Sequence, residues 1–176
     1  MITVKDKQFK PFISEAELRD AIGQVAQKIN NDYQGKSPLF LGVLNGSFMF
    51  FSDLLKGIDL VCEVSFVKLA SYEGTSSTGK VEELIGLNED LTGRDIILVE
   101  DIVDTGNTLE KLYQMLLDKN PASIKIATLL FKPEAYHKTY PIDYVGKEIP
   151  NAFVLGFGLD YDGLARNLSS IYVLNE

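Results

Sequence analysis

Cysteine is nearly absent: Cys62 is the single one among 176 residues. One thiol closes no intrachain disulfide and builds no zinc cage, which points to a reducing compartment, the cytoplasm. Long hydrophobic runs are missing as well. Stretches such as Leu39–Leu44 and Ile96–Val99 are strand-sized, far short of the roughly 18 apolar residues a membrane span needs. Met1-Ile2-Thr3-Val4-Lys5 lacks the apolar core of a secretory signal, so export is not expected. Basic charge is scarce, with 17 Lys+Arg against 25 Asp+Glu and a formal net charge of −8. Nonspecific grip on nucleic acid rests on neutralising phosphates with Lys and Arg, and this balance argues against it. A small anionic substrate stays compatible, given a local device or a bridging cation. No internal repeat, low-complexity tract or Pro/Ser-rich linker interrupts residues 1–176, which predicts a single domain. A content of 45% hydrophobic and 24% charged residues suits a globular chain whose core needs no covalent staples.

Periodicity supplies the elements. Ser14-Glu15-Ala16-Glu17 reads as a capping box, and Leu18, Ile22, Val25 and Ile29 then recur at three- and four-residue steps, predicting a helix to about Asn31. Leu39–Leu44 has the near-continuous apolar pattern of a strand covered on both faces. Asn45-Gly46-Ser47 breaks it, and Phe48–Lys56 is expected to be helical. Leu60–Leu69 alternates as a strand, with Val81–Leu87 as its antiparallel neighbour and the Ser/Thr/Gly-rich Ala70–Lys80 between them as a mobile loop. Asp95–Val99 is a buried strand, followed by a helix with Leu109, Leu112 and Leu116 on one face. Further strands are expected at Ile124–Leu130, Ile142–Val145, Ala152–Phe157 and Ile171–Leu174. Strands alternating with helices predict an α/β fold with a mostly parallel central sheet. Ligands in such sheets sit beyond the carboxyl ends of the strands.

The densest chemical signal lies at such an end, in Ile96-Ile97-Leu98-Val99-Glu100-Asp101-Ile102-Val103-Asp104-Thr105-Gly106-Asn107-Thr108-Leu109. A buried strand runs into two adjacent carboxylates, then a third, then a small polar turn that opens a helix. The head of a helix presents unpaired N–H donors and a positive dipole end, so a phosphate monoester fits the turn. Three carboxylates would repel that anion. The conflict resolves if Glu100 and Asp101 face Mg²⁺ or sugar hydroxyls, since oxygen ligands suit that hard cation. The alternative is a plain strand-to-helix turn with solvated acids. A Walker-type phosphate loop is absent. A receiver-like arrangement is a poor fit, because Asp101 and Lys132-Pro133 are separated by only one helix and one strand.

The segment Val99–Leu109 resembles the phosphoribosyl-pyrophosphate signature of type I phosphoribosyltransferases. Leu44-Asn45-Gly46-Ser47-Phe48-Met49-Phe50, Ser71-Tyr72, Leu129-Leu130-Phe131-Lys132-Pro133, Ile149–Tyr161 and Arg166-Asn167-Leu168 are similar to segments of the hypoxanthine(-guanine) phosphoribosyltransferases. The similarity runs in order from about Ser37 to the C-terminus. It implies the type I phosphoribosyltransferase fold, with a small hood and a lid loop. It implies transfer of the phosphoribosyl group from phosphoribosyl pyrophosphate to a 6-oxopurine, in purine salvage. Hypoxanthine, and also guanine, would be the acceptor, giving IMP or GMP and pyrophosphate. By the same resemblance Glu100 and Asp101 hold the ribose hydroxyls and organise Mg²⁺, and Asp160 lies near a second Mg²⁺. Asp104 is the proton acceptor near N7 of the purine. Thr105, Gly106, Asn107 and Thr108 cradle the 5′-phosphate. Lys132 donates to the purine O6, Phe153 stacks on the base and the Val154 backbone meets its edge. Asn45-Gly46 and Arg166 contact pyrophosphate, and Ser71-Tyr72 belong to the closing lid.

Asn45 departs from the Lys or Arg common at its position, so pyrophosphate would lean harder on metal, backbone donors and Arg166. Plainer readings stand beside these: Lys132 as a snorkelling surface lysine, and Phe153-Val154-Leu155 as core strand. His137 reads as a loop residue, Cys62 as a small core residue, and Tyr33, Tyr113 and Tyr172 as packing. A xanthine-preferring phosphoribosyltransferase is the nearer alternative. A nucleic-acid-binding regulator that senses phosphoribosyl pyrophosphate is the remoter one, disfavoured by the acidic charge. Relatives of this kind imply a homodimer or homotetramer.

Overall fold

The computed structural model describes residues 1–73 and 80–175, with the side chains of 70–73 and 80–85 outside the description. A hairpin opens the chain, β1 (Ile2–Val4) and β2 (Lys7–Ile13), followed by α1 (Glu15–Asp32). Next come β3 (Leu39–Val43), α2 (Phe48–Lys56), β4 (Glu63–Glu73) and β5 (Lys80–Ile85). β6 (Asp95–Val103), α3 (Asn107–Leu117), β7 (Ser123–Phe131), β8 (Tyr144–Glu148), β9 (Val154–Leu155) and β10 (Ile171–Leu174) complete it. The main sheet has the order β5-β4-β3-β6-β7-β8. All its pairings are parallel except β4 with β5. A smaller antiparallel sheet, β1-β2-β10-β9, stands beside it. This is the hood that the family resemblance implies.

The central parallel strands β3, β6 and most of β7 are covered on both faces, and their side chains divide by the period of two that a strand imposes. Phe40, Ile97, Val99 and Leu129 enter the core shared with α1 and α2. Leu39, Leu41, Ile96, Leu98 and Ile126 enter the core shared with α3. The capping box of α1 is present: the Glu17 N–H donates to Ser14 Oγ at 3.3 Å, and the Ser14 N–H donates to Glu17 Oε2 at 2.9 Å.

From β3 the chain crosses through α2 to β4 on one side, and from β6 through α3 to β7 on the other. The sheet therefore has its topological switch between β3 and β6, where a crevice opens at the carboxyl ends. That is where the signature segment lies.

Several expectations need correction. β6 does not stop at Val99 but continues to Val103, because Glu100, Ile102 and Val103 stay laddered to Thr128, Leu130 and Phe131 of β7. Strand propensity yields here to a partner that satisfies the backbone. β4 extends to Glu73, so the backbones of Ser71 and Tyr72 are strand, paired with Glu82 and Val81, and not loop. Of the expected loop, 74–79 lies outside the described residues, as do the side chains of Ser71 and Tyr72. β9 is only Val154–Leu155, since Gly156 and Phe157 turn away at positive φ of 97° and 48°. β8 begins at Tyr144, later than expected. The hairpin β1–β2 has no counterpart in the periodicity reading.

Candidate active site

The crevice between β3 and β6 holds a cavity of about 270 Å³. One wall is the turn that leaves β3, through Leu44 and Gly46, and the other is Glu100–Leu109. The Leu44–Asn45 peptide is cis. Gly46 lies directly on the Asp101 side chain: a Cβ there would stand 1.7 Å from Asp101 Oδ2. Only glycine lets that turn reach the acid. Gly158 makes a similar approach from the opposite side, where a Cβ would stand 2.0 Å from the Gly46 carbonyl oxygen. Asn45 itself is exposed and does not line the cavity.

Glu100 and Asp101 are brought together at the floor. Glu100 is 8% exposed. Burial pushes its carboxyl well above the usual range, and the neighbouring Asp101 charge adds to the effect. Burial also raises Asp101 to about 6, partly offset by the Ile102 N–H, which donates to Oδ1 at 2.9 Å, and by the charge of Arg166. A buried and a half-buried carboxylate side by side, both made harder to ionise by desolvation, are a donor set that a hard divalent cation relieves. Mg²⁺ commonly takes one or two carboxylates together with waters and substrate phosphates, not an all-protein cage. The pair fits a substrate-bridged ion of that kind. Asp160 is not part of the pair. Its carboxylate accepts from Arg166 Nη2 at 2.7 Å and from the Gly163 N–H at 2.6 Å. Among the described residues no group of three His, Cys, Asp or Glu side chains converges on one metal position. Arg166 also donates from Nη1 to the Gly158 carbonyl at 2.7 Å, so its fork is shared between Asp160 and the loop that touches Gly46.

Asp104 follows β6 on the cavity rim. Lys132, the residue after β7, reaches it: Nζ donates to Asp104 Oδ2 at 2.6 Å. The lysine side chain is 8% exposed and the aspartate 45%. Lys132 is thus no snorkelling surface residue. Its backbone N–H donates to the Val103 carbonyl at 3.0 Å, which fixes the end of β7 beside the end of β6. Thr105, Gly106, Asn107 and Thr108 line the cavity at the head of α3. Gly106 caps that helix at φ 78° and supplies no side-chain acceptor. The first N–H groups of α3 therefore lack the side-chain cap that commonly satisfies one of them.

Three residues around this turn carried no signal in the motif. The Tyr136 ring and the Lys138 stem press on Gly106, where a Cβ would stand 2.5 Å from Tyr136 Cε2 and 3.0 Å from Lys138 Cγ. Lys138 Nζ donates to Glu110 Oε2 at 2.8 Å. The clue was a spacing: Tyr136 stands four residues after Lys132, and its N–H donates to the Lys132 carbonyl at 3.2 Å. One turn thus carries both the lysine and the tyrosine.

Phe153 does not line the cavity. Its ring is exposed at 43% and rests against Phe9, with centroids 6.0 Å apart, and edge-on against Tyr161 at 5.7 Å. Val154 is buried and paired with Val173 of β10. His137 is exposed, Tyr33 is buried in the core, and Cys62 packs partly buried against it, all as packing would have them.

Comparison with known proteins places the chain in a family. The model of the phosphoribosyl transferase domain matches residues 14–162. A hypoxanthine-guanine phosphoribosyltransferase of Streptococcus pyogenes is 44% identical over 168 residues, 95% of this chain and 93% of that protein. The bifunctional protein TilS/HprT of Listeria innocua is 42% identical over 166 residues, 94% of this chain, and the chain spans only 26% of its length. A crystal structure of a hypoxanthine-guanine phosphoribosyltransferase from Bacillus anthracis superposes with a TM-score of 0.86 at 32% identity. That match covers 97% of this chain and 100% of the other. Fold and sequence agree: the chain belongs to the phosphoribosyl transferase family, and within it to the hypoxanthine-guanine phosphoribosyltransferases.

Proposed function

We propose that residues 1–176 act as one catalytic unit. It transfers the 5-phosphoribosyl group of phosphoribosyl pyrophosphate to hypoxanthine, and to guanine, in cytoplasmic purine salvage. One observation carries this reading. A single crevice holds two adjacent carboxylates, a helix head without a side-chain cap and, on its rim, an Asp–Lys ion pair. A phosphorylated sugar needs the first two, and a 6-oxopurine needs the third.

The chemistry follows from the side chains. The N–H groups of Thr105–Thr108 hold the 5′-phosphate. Glu100 and Asp101 hold the ribose hydroxyls and a Mg²⁺ ion. When bound, Mg²⁺ supplies the positive charge that lets pyrophosphate leave beside two acids. As the C1–pyrophosphate bond lengthens, the ribose gains oxocarbenium character, and the purine nitrogen attacks C1. Asp104 takes the proton that the purine sheds near N7. General-base catalysis of this kind is worth roughly 10²–10⁴ in rate. Lys132 donates to O6. Adenine offers an amino group there, a donor facing a donor, so the N–H of Lys132 that would meet O6 loses its acceptor. Arg166 meets the departing pyrophosphate, its planar fork suited to phosphate oxygens, and Asp160 holds that fork in place. Phe153, propped by Phe9 and Tyr161, offers a free ring face to the base. The lone thiol Cys62 supports the cytoplasmic assignment.

The test is an assay with phosphoribosyl pyrophosphate, Mg²⁺ and each of hypoxanthine, guanine, xanthine and adenine, following nucleotide formation. Hypoxanthine and guanine should react, with adenine slower by at least about a hundredfold in kcat/KM. Adenine turned over as fast as hypoxanthine would overturn the role of Lys132, and full activity in EDTA would overturn that of the carboxylate pair. Xanthine as the best acceptor would move the assignment to the xanthine-preferring branch.

A further inference from the structure

A phosphate at the head of α3 faces a hostile balance of charge. The turn Thr105–Thr108 has no cationic side chain. Glu100, Asp101 and Asp104 share its cavity, and the first turn of α3 carries Glu110. A helix head offers about half a positive charge, which is little against a dianion among acids. A cation not already committed to the Lys132–Asp104 pair comes to the turn from outside the motif. The Lys138 stem runs along Gly106, with Cγ 3.0 Å from where a Cβ would stand. The Tyr136 ring flanks the same glycine, its hydroxyl tied to the Tyr140 carbonyl at 2.7 Å. The Lys138 side chain is 21% exposed, and its ammonium is parked on Glu110, which is 42% exposed. Releasing that glutamate to water costs little, because an ion pair with a half-exposed partner is weak. A phosphate dianion is the stronger partner for the same ammonium.

We infer that Lys138 is a phosphate-binding residue: its ammonium passes from Glu110 to the 5′-phosphate held by Thr105–Thr108. This rests on the reading of that turn as the phosphate cradle. The cradle thereby regains a cation, and Glu110 serves as the holding partner that keeps the lysine folded beside Gly106 until a phosphate takes its place.

Calorimetric titration of IMP and of inosine separates the possibilities, because the two ligands differ only in the phosphate. Lys138→Met should weaken IMP about tenfold and leave inosine unchanged. Lys138→Arg should recover most of the loss, and Glu110→Gln should tighten IMP. In steady-state assays the Lys138→Met KM should rise for phosphoribosyl pyrophosphate and not for hypoxanthine. Unchanged IMP affinity in Lys138→Met, with the wild type still preferring IMP to inosine, overturns the inference and leaves the cradle intact. Equal loss of IMP and inosine also overturns it, since it would mean that the lysine only supports the fold. Wild-type protein that binds inosine as tightly as IMP would instead remove the cradle, and the inference with it.

Discussion

The two ends of the Lys132–Asp104 ion pair live in different surroundings, the ammonium 8% exposed and the carboxylate 45%. Removing the exposed partner strands a buried charge, whereas removing the buried one leaves a solvated acid. Truncation of the two residues is therefore unequal. Asp104→Asn keeps an oxygen for the lysine and deletes only the basicity, so it isolates the proposed proton transfer. It should lower kcat by about 10²–10⁴ with a much smaller change in IMP affinity, and an unaltered kcat would dismiss the proton role. Asp104→Ala should lose stability in addition, visible as a lower melting temperature than that of Asp104→Asn. Lys132→Ala should raise the KM for hypoxanthine while sparing that for phosphoribosyl pyrophosphate. Equal damage to both would contradict its assignment to the base.

Among the elements, α1 offers the cleanest separation of a local signal from the fold. Ser14→Ala should cost about 1 kcal/mol, or about 2–4 °C in melting temperature for a chain of this size. Glu17, the other half of the box, is held below the usual carboxylate range, first by the Ser14 N–H and then by its hydroxyl. A depressed folded pKa means stability that is present above the unfolded value of 4.5 and lost as pH falls through the folded one. Acid titration followed by circular dichroism should show a shallower loss of stability for Glu17→Gln than for the wild type, and superimposable curves would deny the box a role. Ser14, Glu17 and the spacing of Leu18, Ile22, Val25 and Ile29 made this helix legible, because its signal is local. β6 was legible only to Val99, because what extends it through Glu100 and Asp101 is pairing with β7, some twenty-eight residues away in register. The hairpin β1–β2 failed for the same reason, since β10, at the far end of the chain, completes its sheet. The motif singled out Glu100, Asp101, Asp104, the turn Thr105–Thr108 and Lys132, which the fold gathers at one crevice. It passed over Tyr136 and Lys138 and gave Tyr161 no role, because what these residues do comes from what they touch.

The molecule as a whole ties its first residues to the loop beyond β9. The Tyr161 hydroxyl donates to Asp6 Oδ1 at 2.8 Å, Lys5 Nζ lies 2.9 Å from Asp162 Oδ2, and Lys7 Nζ stands 5.8 Å over the Tyr161 ring. Tyr161 in turn supports Phe153. Asp6→Ala should therefore raise the KM for the purine about twofold to fivefold, the range of an exposed polar pair, and leave the KM for phosphoribosyl pyrophosphate alone. A purine KM equal to the wild-type value would show that the hood does not steady the base. Glu100 and Asp101, by contrast, belong to a strand with neighbours on both sides, while Gly46 meets Asp101 from a turn and Gly158 backs Gly46 from another. The acids are a gatepost set in the frame, and the glycine turns are the leaf that hangs against it. A side chain added at either glycine would force the leaf off the post while the post itself stayed where its neighbouring strands hold it.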